Sequence, residues 1–438
     1  MSRMTWVVVL WVAFWAVAQS ALAQCNCGHN NCTSGCMCGC NSPENSPPAG
    51  RPGEMSFDSW NVDLLSRMAL ADVGVTAGNV LGNDCWGWTH PISGREFAIF
   101  CLTNGTAFIE ITNPQEPVYL GTLPTAQGNQ TWRDAKVYNN RVYIVADGSG
   151  NNSHGVQVFE LRRLLRVTSP QTFTSDARYT GLGRAHNIAI NEMTGFAYVV
   201  GSPSLNSQGG LIMLDLKQGV MPVLAGVYSA DGYCHDTQVV LYHGSDTNFT
   251  GPPLGSPANL LGREIAFCCN EDTLTIVDVT NKQTPVLISR TGYPEHAYTH
   301  QGWLSEDHRF FFVDDELDEM QNQPTKTRTH VWWLRTLTNP VYLGHVLGTE
   351  NTIDHNQYVH GKYIFQANYT SGLRIREIVN PRLKVLPEVG YFDTYPADNS
   401  LTFNGAWSVY PYFPSGNIIV SDRQNGLFVL RFNPPGNQ

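Results

Sequence analysis

Concentrated positive charge is missing from this sequence: 27 lysines and arginines are dispersed among 37 acidic residues, for a net charge of −10. A surface that grips nucleic-acid phosphates needs clustered basic side chains, so nucleic acid is excluded as a partner. Charged residues of either sign make up only 15% of the chain. Long apolar runs are also missing. The best candidate, residues 6–18, covers about 12 to 14 positions where a spanning helix needs about 20, so no membrane span is expected. Familiar catalytic signatures are absent as well: there is no Gly-x-Ser-x-Gly elbow, no phosphate-cradling P-loop and no His-Glu-x-x-His pair. Apolar residues at helical spacing are scarce, which leaves little room for helices.

What the N-terminus does contain is Arg3, the short apolar run, and then Ala21-Leu22-Ala23, a small-x-small cleavage pattern before Gln24. This pattern predicts a signal peptide over residues 1–23 and a secreted, extracellular protein. Six Asn-x-Ser/Thr triplets, at Asn31, Asn104, Asn129, Asn151, Asn248 and Asn368, are then expected glycan acceptors on surface loops. Eleven cysteines in a secreted chain predict disulfides, and the odd count leaves one over. Six of them fall in "CNCGHNNCTSGCMCGC", residues 25–40, which has too few apolar residues to build a core. In an oxidising compartment this segment reads as a disulfide knot, the alternative being a soft-metal ligand set that includes His29. A Pro/Ser/Gly linker follows, so residues 24–53 form a head distinct from residues 54–438.

From about residue 61 the chain reads as short alternating or apolar strands punctuated by Gly, Asn, Asp and Pro. The strands recur in groups. "GREFAIFCLTNGTAFIEITN" (residues 94–113) aligns without a gap on "GREIAFCCNEDTLTIVDVTN" (residues 262–281), sharing Gly-Arg-Glu, an alanine, a cysteine and the closing Thr-Asn. Each unit opens on a polar or aromatic residue, and the openings fall at Trp86, Asp134, His186, His235, His300, His355 and Trp407. They lie roughly 50 to 65 residues apart, near the period of propeller blades. Seven openings predict an all-β, seven-bladed β-propeller. The seventh unit stops after its third strand, "GLFVLRF", so its fourth strand is expected from the N-terminal side, near residues 68–75, leaving no open edge at the seam.

"LTIVDVTN" (residues 274–281), with "FIEITN" and "IMLDLK" elsewhere, resembles the LVIVD repeat. From about residue 61 onward the chain is similar to the choice-of-anchor B family of secreted propeller-like proteins. The resemblance implies a repeat fold in an extracellular setting and carries no particular activity. The ending "RFNPPGNQ" departs from members tethered through a C-terminal anchor, and the Cys-rich head is a second departure.

In a propeller the innermost strand of each blade lines a central channel and the next strand returns beside it, so the start of one and the end of the other share a face. The stretch "YTHQGWLSEDHRFFFVDDELDE" (residues 298–319) illustrates this: His300 begins an inner strand while Asp314, Asp315 and Glu316 end the next. They are expected together at the pore mouth. His186, His235, His300 and His355 open four consecutive blades, each turned about 51° from the last in a seven-fold ring. Their imidazoles are expected to converge on one divalent ion, and Zn, Cu and Fe suit such donors. Asp236, Asp314, Asp315 and Asp354 are the expected additional ligands or partners of the second ring nitrogens. The acidic run makes Ca the alternative ion, since calcium takes about six to eight oxygens. The competing reading is structural, because a polar residue opening an inner strand often only bonds a neighbouring blade. Trp86, Trp88, Trp132, Trp303 and Trp407 lie near the same positions and either pack between blades or stack on a sugar.

Cys85 precedes Trp86 as Cys234 precedes His235, while Cys101 and Cys269 occupy one repeat position. That phase predicts disulfides Cys85–Cys101 and Cys234–Cys269, with Cys268 on the opposite side of its strand as the unpaired thiol. The functional expectation is an extracellular metal-binding propeller that presents its loop face to a protein or glycan partner. The rival is a metal-dependent oxidase or hydrolase whose ion keeps one position open.

Overall fold

A strand that is apolar on both faces needs cover on both faces, and this requirement organises the whole molecule. The computed structural model describes residues 56–148, 153–246 and 260–436; the proposed signal peptide, the Cys-rich head, Asn31, Asn151 and Asn248 lie outside them. Second strands such as Glu96–Leu102 (EFAIFCL) and Phe310–Asp315 (FFFVDD) are buried along their entire length. Each is the second strand of one of seven sheets, antiparallel throughout except where the short strand Gln171–Thr172 joins the edge of blade 1 in parallel. The inner strands are Gly82–Thr89, Trp132–Tyr138, Asn187–Asn191, Asp236–Leu241, Thr299–Leu304, Asn356–His360 and Ala406–Tyr410, which begin blades 1 to 7 in chain order. The last of these packs beside the first, so the ring closes.

Seven principal apolar clusters fill the seven gaps between blades. Between blades 1 and 2, Ile99 and Phe108 meet Ile144 and Phe159; between blades 7 and 1, Ile419 and Val429 meet Phe100 and Ile109. Burying one such side chain contributes about 1.5–3 kcal/mol relative to leaving it exposed, so each gap is a substantial adhesive layer. Fourth strands bend at a repeated bulge, and the register shifts between Phe108/Ile109, Met213/Leu214, Ile276/Val277 and Val331/Trp332. Opposite two of these bulges sit Gly121 (φ +134°) and Gly344 (φ +106°), a backbone conformation that disfavours any Cβ.

The N-terminal closure holds, with a shifted boundary. Strand Val62–Met68 completes blade 7 by pairing with Gly426–Phe432, from Val62 opposite Phe432 to Met68 opposite Leu427. Residues 70–73 instead form a 3₁₀ turn that ends at Gly74 in the left-handed region. The expected strand at 68–75 is therefore moved about one strand length toward the N-terminus.

Both expected disulfides are corrected. Cys85 lies opposite Phe100, not Cys101, and faces the gap between blades 7 and 1, whereas Cys101 faces blade 2. Cys269 packs between blades 4 and 5, while Cys234 shares the gap between blades 3 and 4 with Cys268. All five described cysteines are buried free thiols. The two pairs fail for different reasons: Asn83, at the shift between Gly82 and Cys85, is the blade 1 counterpart of His235, so Cys85 stands three positions out of step with Cys234, whereas Cys234 precedes its strand and turns toward Cys268 rather than Cys269. Among the expected glycan acceptors Asn129 is exposed, but Asn368 is only 2% accessible and has no room for a sugar in the folded ring. Asn104 is half-buried, with its Oδ1 enclosed.

Candidate metal centre

Equivalent starts of neighbouring inner strands must converge at one end of a channel. His186, His235 and His355 each immediately precede an inner strand, and His300 is the second residue of its strand. Successive ring centroids are 4.3, 4.1 and 4.4 Å apart, so the four imidazoles form one arc. Trp407 extends the arc 4.9 Å beyond His355, and Trp132 flanks His186 at 5.8 Å. Trp132 and Arg133, rather than Asp134, are the blade 2 residues lining this opening. In blade 1 Asn83, three positions before Trp86, accepts a hydrogen bond from the Arg133 amide at 3.0 Å. The expected openings at Trp86 and Asp134 were thus out of register with the histidines.

Each imidazole is held through the same atom. Nδ1 of His235 is 2.9 Å from the His300 carbonyl, and Nδ1 of His355 is 2.6 Å from the Trp407 carbonyl. Nδ1 of His300 is 2.8 Å from Asp314 Oδ1, and Nδ1 of His186 is 3.3 Å from Asp147 Oδ2. A carbonyl oxygen can only accept, so His235 and His355 carry hydrogen on Nδ1 and, when neutral, leave a lone pair on Nε2. That is the arrangement by which metal-ligating histidines are oriented. Burial keeps three of the rings neutral: it drives His235 and His300 well below the ordinary imidazole range, with neighbouring histidines adding to the effect. Burial also lowers His355 to about 3, against the opposing pull of the Trp407 carbonyl.

Glu316 supplies the carboxylate. Its Oε1 accepts from Tyr369 Oη at 2.6 Å and lies 3.7 Å from His355 Nε2, while Oε2 lies 4.0 Å from His300 Nε2. With both rings neutral these are not ion pairs; they are three donor groups within 4.8 Å of one another. Bonds of about 2.0–2.1 Å in a tetrahedron separate ligand atoms by roughly 3.3 Å, so an ion would shorten the two carboxylate–imidazole separations by roughly 0.4–0.7 Å. Burial raises Glu316 to about 6, offset by the Tyr369 hydrogen bond. Two imidazoles and one carboxylate then suit a divalent transition ion with open positions.

The other expected carboxylates separate. Asp314 orients His300. Asp315 turns the other way, accepting from Tyr293 Oη at 2.7 Å and from the amides of Ala297 and Tyr298. Asp236 accepts from the Thr237 amide and lines a cavity farther along the channel. Asp354 accepts from the Arg328 amide at 2.8 Å in a separate buried group with Asp318 and Glu319. Period-two alternation past "FFFVDD" carries the signal that distinguishes these groups, since it puts Asp314 and Glu316 on one face and Asp315 on the other.

In that second group the charge is poorly neutralised. Arg328 Nη1 donates to Asp318 at 2.8 Å, but Glu319 Oε2 and Asp354 Oδ1 are buried without a hydrogen-bond partner. Burial, then the charge of Asp354, holds the Glu319 carboxyl far above its ordinary 4.5. A carboxyl raised on folding stabilises fully below its unfolded pKa, and that contribution is lost as pH rises. Glu319→Gln is therefore expected to raise the thermal midpoint at neutral pH by the equivalent of about 1–3 kcal/mol. The gap between variant and parent should widen from about pH 5 to about pH 8 in thermal melts. A parent stabilised by added Ca²⁺, with no such response in the variant, would instead assign this group to calcium.

Seven blades around a channel, with an arc of imidazoles at one mouth, fix the class: the chain is a seven-bladed β-propeller. No family model and no curated protein sequence matches it. Among solved structures it is similar to a protein from Lactobacillus plantarum, at 12% identity over 78% of this chain and 87% of that one, with a TM-score of 0.50. It is also similar to hydrazine synthase of Kuenenia stuttgartiensis, at 11% identity over 76% of this chain and 92% of that one, with a TM-score of 0.50. At these identities the likeness is one of fold alone.

Proposed function

We propose that this protein is a secreted metalloprotein that holds one divalent transition-metal ion, Zn, Cu or Fe, at one mouth of its propeller channel. His300, His355 and Glu316 are its ligands, and His235 and His186 stand next along the arc. The observation that carries this reading is the common orientation of the rings, each tied down at Nδ1 so that Nε2 is left for the ion. A set of neutral bases held close together and out of water gains little as structure, because each adjacent ring penalises protonation of the next. The signal-like N-terminus supports an extracellular setting, where the loop face would meet a protein or glycan partner.

Catalysis is the second reading, and one feature favours it. Two histidines and one carboxylate leave coordination positions open to water or substrate, as hydrolytic zinc and oxygen-using iron sites require. Metal analysis of protein purified without chelators, followed by Co²⁺ reconstitution, tests both readings. About one equivalent of metal is expected, with visible Co²⁺ bands that shift on adding azide if a position is open. Protein that neither carries nor takes up a transition ion overturns the proposal.

A further inference from the structure

The opposite mouth of the channel has a different chemistry. Inner strands that begin at the histidines end around a cavity of about 270 Å³. One wall is aromatic, built from Trp86, Trp303, Tyr358, Tyr410 and Tyr412. These rings brace one another: Trp303 packs edge-on to Tyr358 at 4.9 Å, and Trp86 packs on Tyr410 at 5.0 Å. Aliphatic residues such as Ile188 and Val239 face them, with Asp236 among the lining groups.

Three features select a ligand. First, the half-buried faces of Trp86 and Trp303 offer quadrupoles that attract a cation. One contact of this kind is already made, since Lys136 Nζ lies 4.5 Å from the Trp86 ring centre. Second, Lys136 is bonded to Asp84 and Asp134, which leaves it no free charge for an anionic ligand. Third, Asp236 receives only its neighbour's amide and pairs with no cationic side chain among the described residues, while Glu192 adds a second carboxylate to the lining. The volume is near the lower end of ligand cavities, about 300–1,000 Å³, and suits a single ring with a short arm.

We propose that this mouth is a second ligand site, which binds a small organic ammonium ion with a flat apolar body. The body packs between the aromatic wall and the aliphatic wall, and the ammonium group reaches Asp236. The site is independent of the metal.

Calorimetry on the full chain with phenethylammonium as probe tests it, against 2-phenylethanol and 3-phenylpropionate as neutral and anionic analogues. The ammonium probe is expected to bind at least about tenfold more tightly than either, a difference of about 1.4 kcal/mol. Trp303→Leu and Asp236→Asn should each weaken it by a similar factor, while His300→Ala/His355→Ala leaves it unchanged. Folding of each variant is checked by its thermal transition. Should one fail to fold, Tyr358→Phe and the analogue series still decide the question. Equal binding of the three probes, preference for the alcohol, or no heat from the ammonium probe at millimolar concentration would overturn the proposal. None of these outcomes bears on the metal centre.

Discussion

Protein carrying His300→Ala together with His355→Ala is expected to lose its transition ion while keeping the propeller ring. The ion depends on these side chains because they supply two of its three protein ligands. The ring does not, because its cohesion lies in the seven apolar layers between blades, and neither histidine belongs to one. A local penalty is expected all the same. Asp314 is buried, its Oδ2 has no partner, and the variant strips His300 from its Oδ1, leaving the Gln301 amide as donor. A graded series sharpens the test. Asp314→Asn retains every ligand but weakens the orientation of His300, and loss of such an outer partner typically costs about 10–100-fold in affinity. Each single alanine variant should cost more, and the double variant should carry no metal at all. Metal retained at parental stoichiometry by the double variant would remove the histidine arc from consideration.

The second large effect concerns closure. A chain beginning at Leu70 lacks the Val62–Met68 strand and is expected to lose cooperative unfolding and to aggregate; one beginning at Ser56 keeps every blade and should melt as the parent does. Without that strand, Gly426–Phe432 becomes an unpaired edge, and its buried Leu427, Phe428, Val429 and Leu430 lose cover. Val62 and Met68, 2% and 9% accessible in the folded ring, no longer contribute about 1.5–3 kcal/mol each. With the backbone ladder added, the loss approaches the whole stability of an ordinary domain, about 5–15 kcal/mol. Size-exclusion chromatography and thermal melts distinguish the two truncations. A synthetic peptide spanning residues 56–69, supplied in trans, should restore the monomer. A monomeric, cooperatively folding chain starting at Leu70 would show that the seam is not what holds the ring shut.

Much of this architecture is legible along the chain. Strands Glu96–Leu102 and Glu264–Cys269 announce themselves by matching sequence, and the truncated seventh unit implies a partner strand from the other terminus. The histidine arc was legible for the same reason: blades 3 to 6 keep one phase, so residues at one repeat position arrive at one mouth. In blade 1 that position is held by Asn83, at the same kind of shift that holds His300 and Trp407 in blades 5 and 7, so Trp86 lies three residues farther along the strand toward the far mouth and Cys85 faces away from Cys101. Which residue of a strand opens the channel depends on how the strand meets its neighbours, and nothing in "GNDCWGWT" marks it.

Composition and periodicity therefore determined on their own that this chain is a closed ring of repeated antiparallel sheets with histidines along one stretch of its channel. Which nitrogen each histidine leaves for a ligand was decided only in three dimensions. The fixing acceptors are the His300 and Trp407 carbonyls on neighbouring blades, Asp314 on the strand adjacent to His300 and Asp147 on the blade before His186, and Glu316 joins them through Tyr369 of the next blade. These partners lie from 14 to 65 residues away in the chain, and two of them are backbone atoms that every residue possesses. A pattern of side chains cannot encode such contacts; they follow from how twisted blades pack around a common axis.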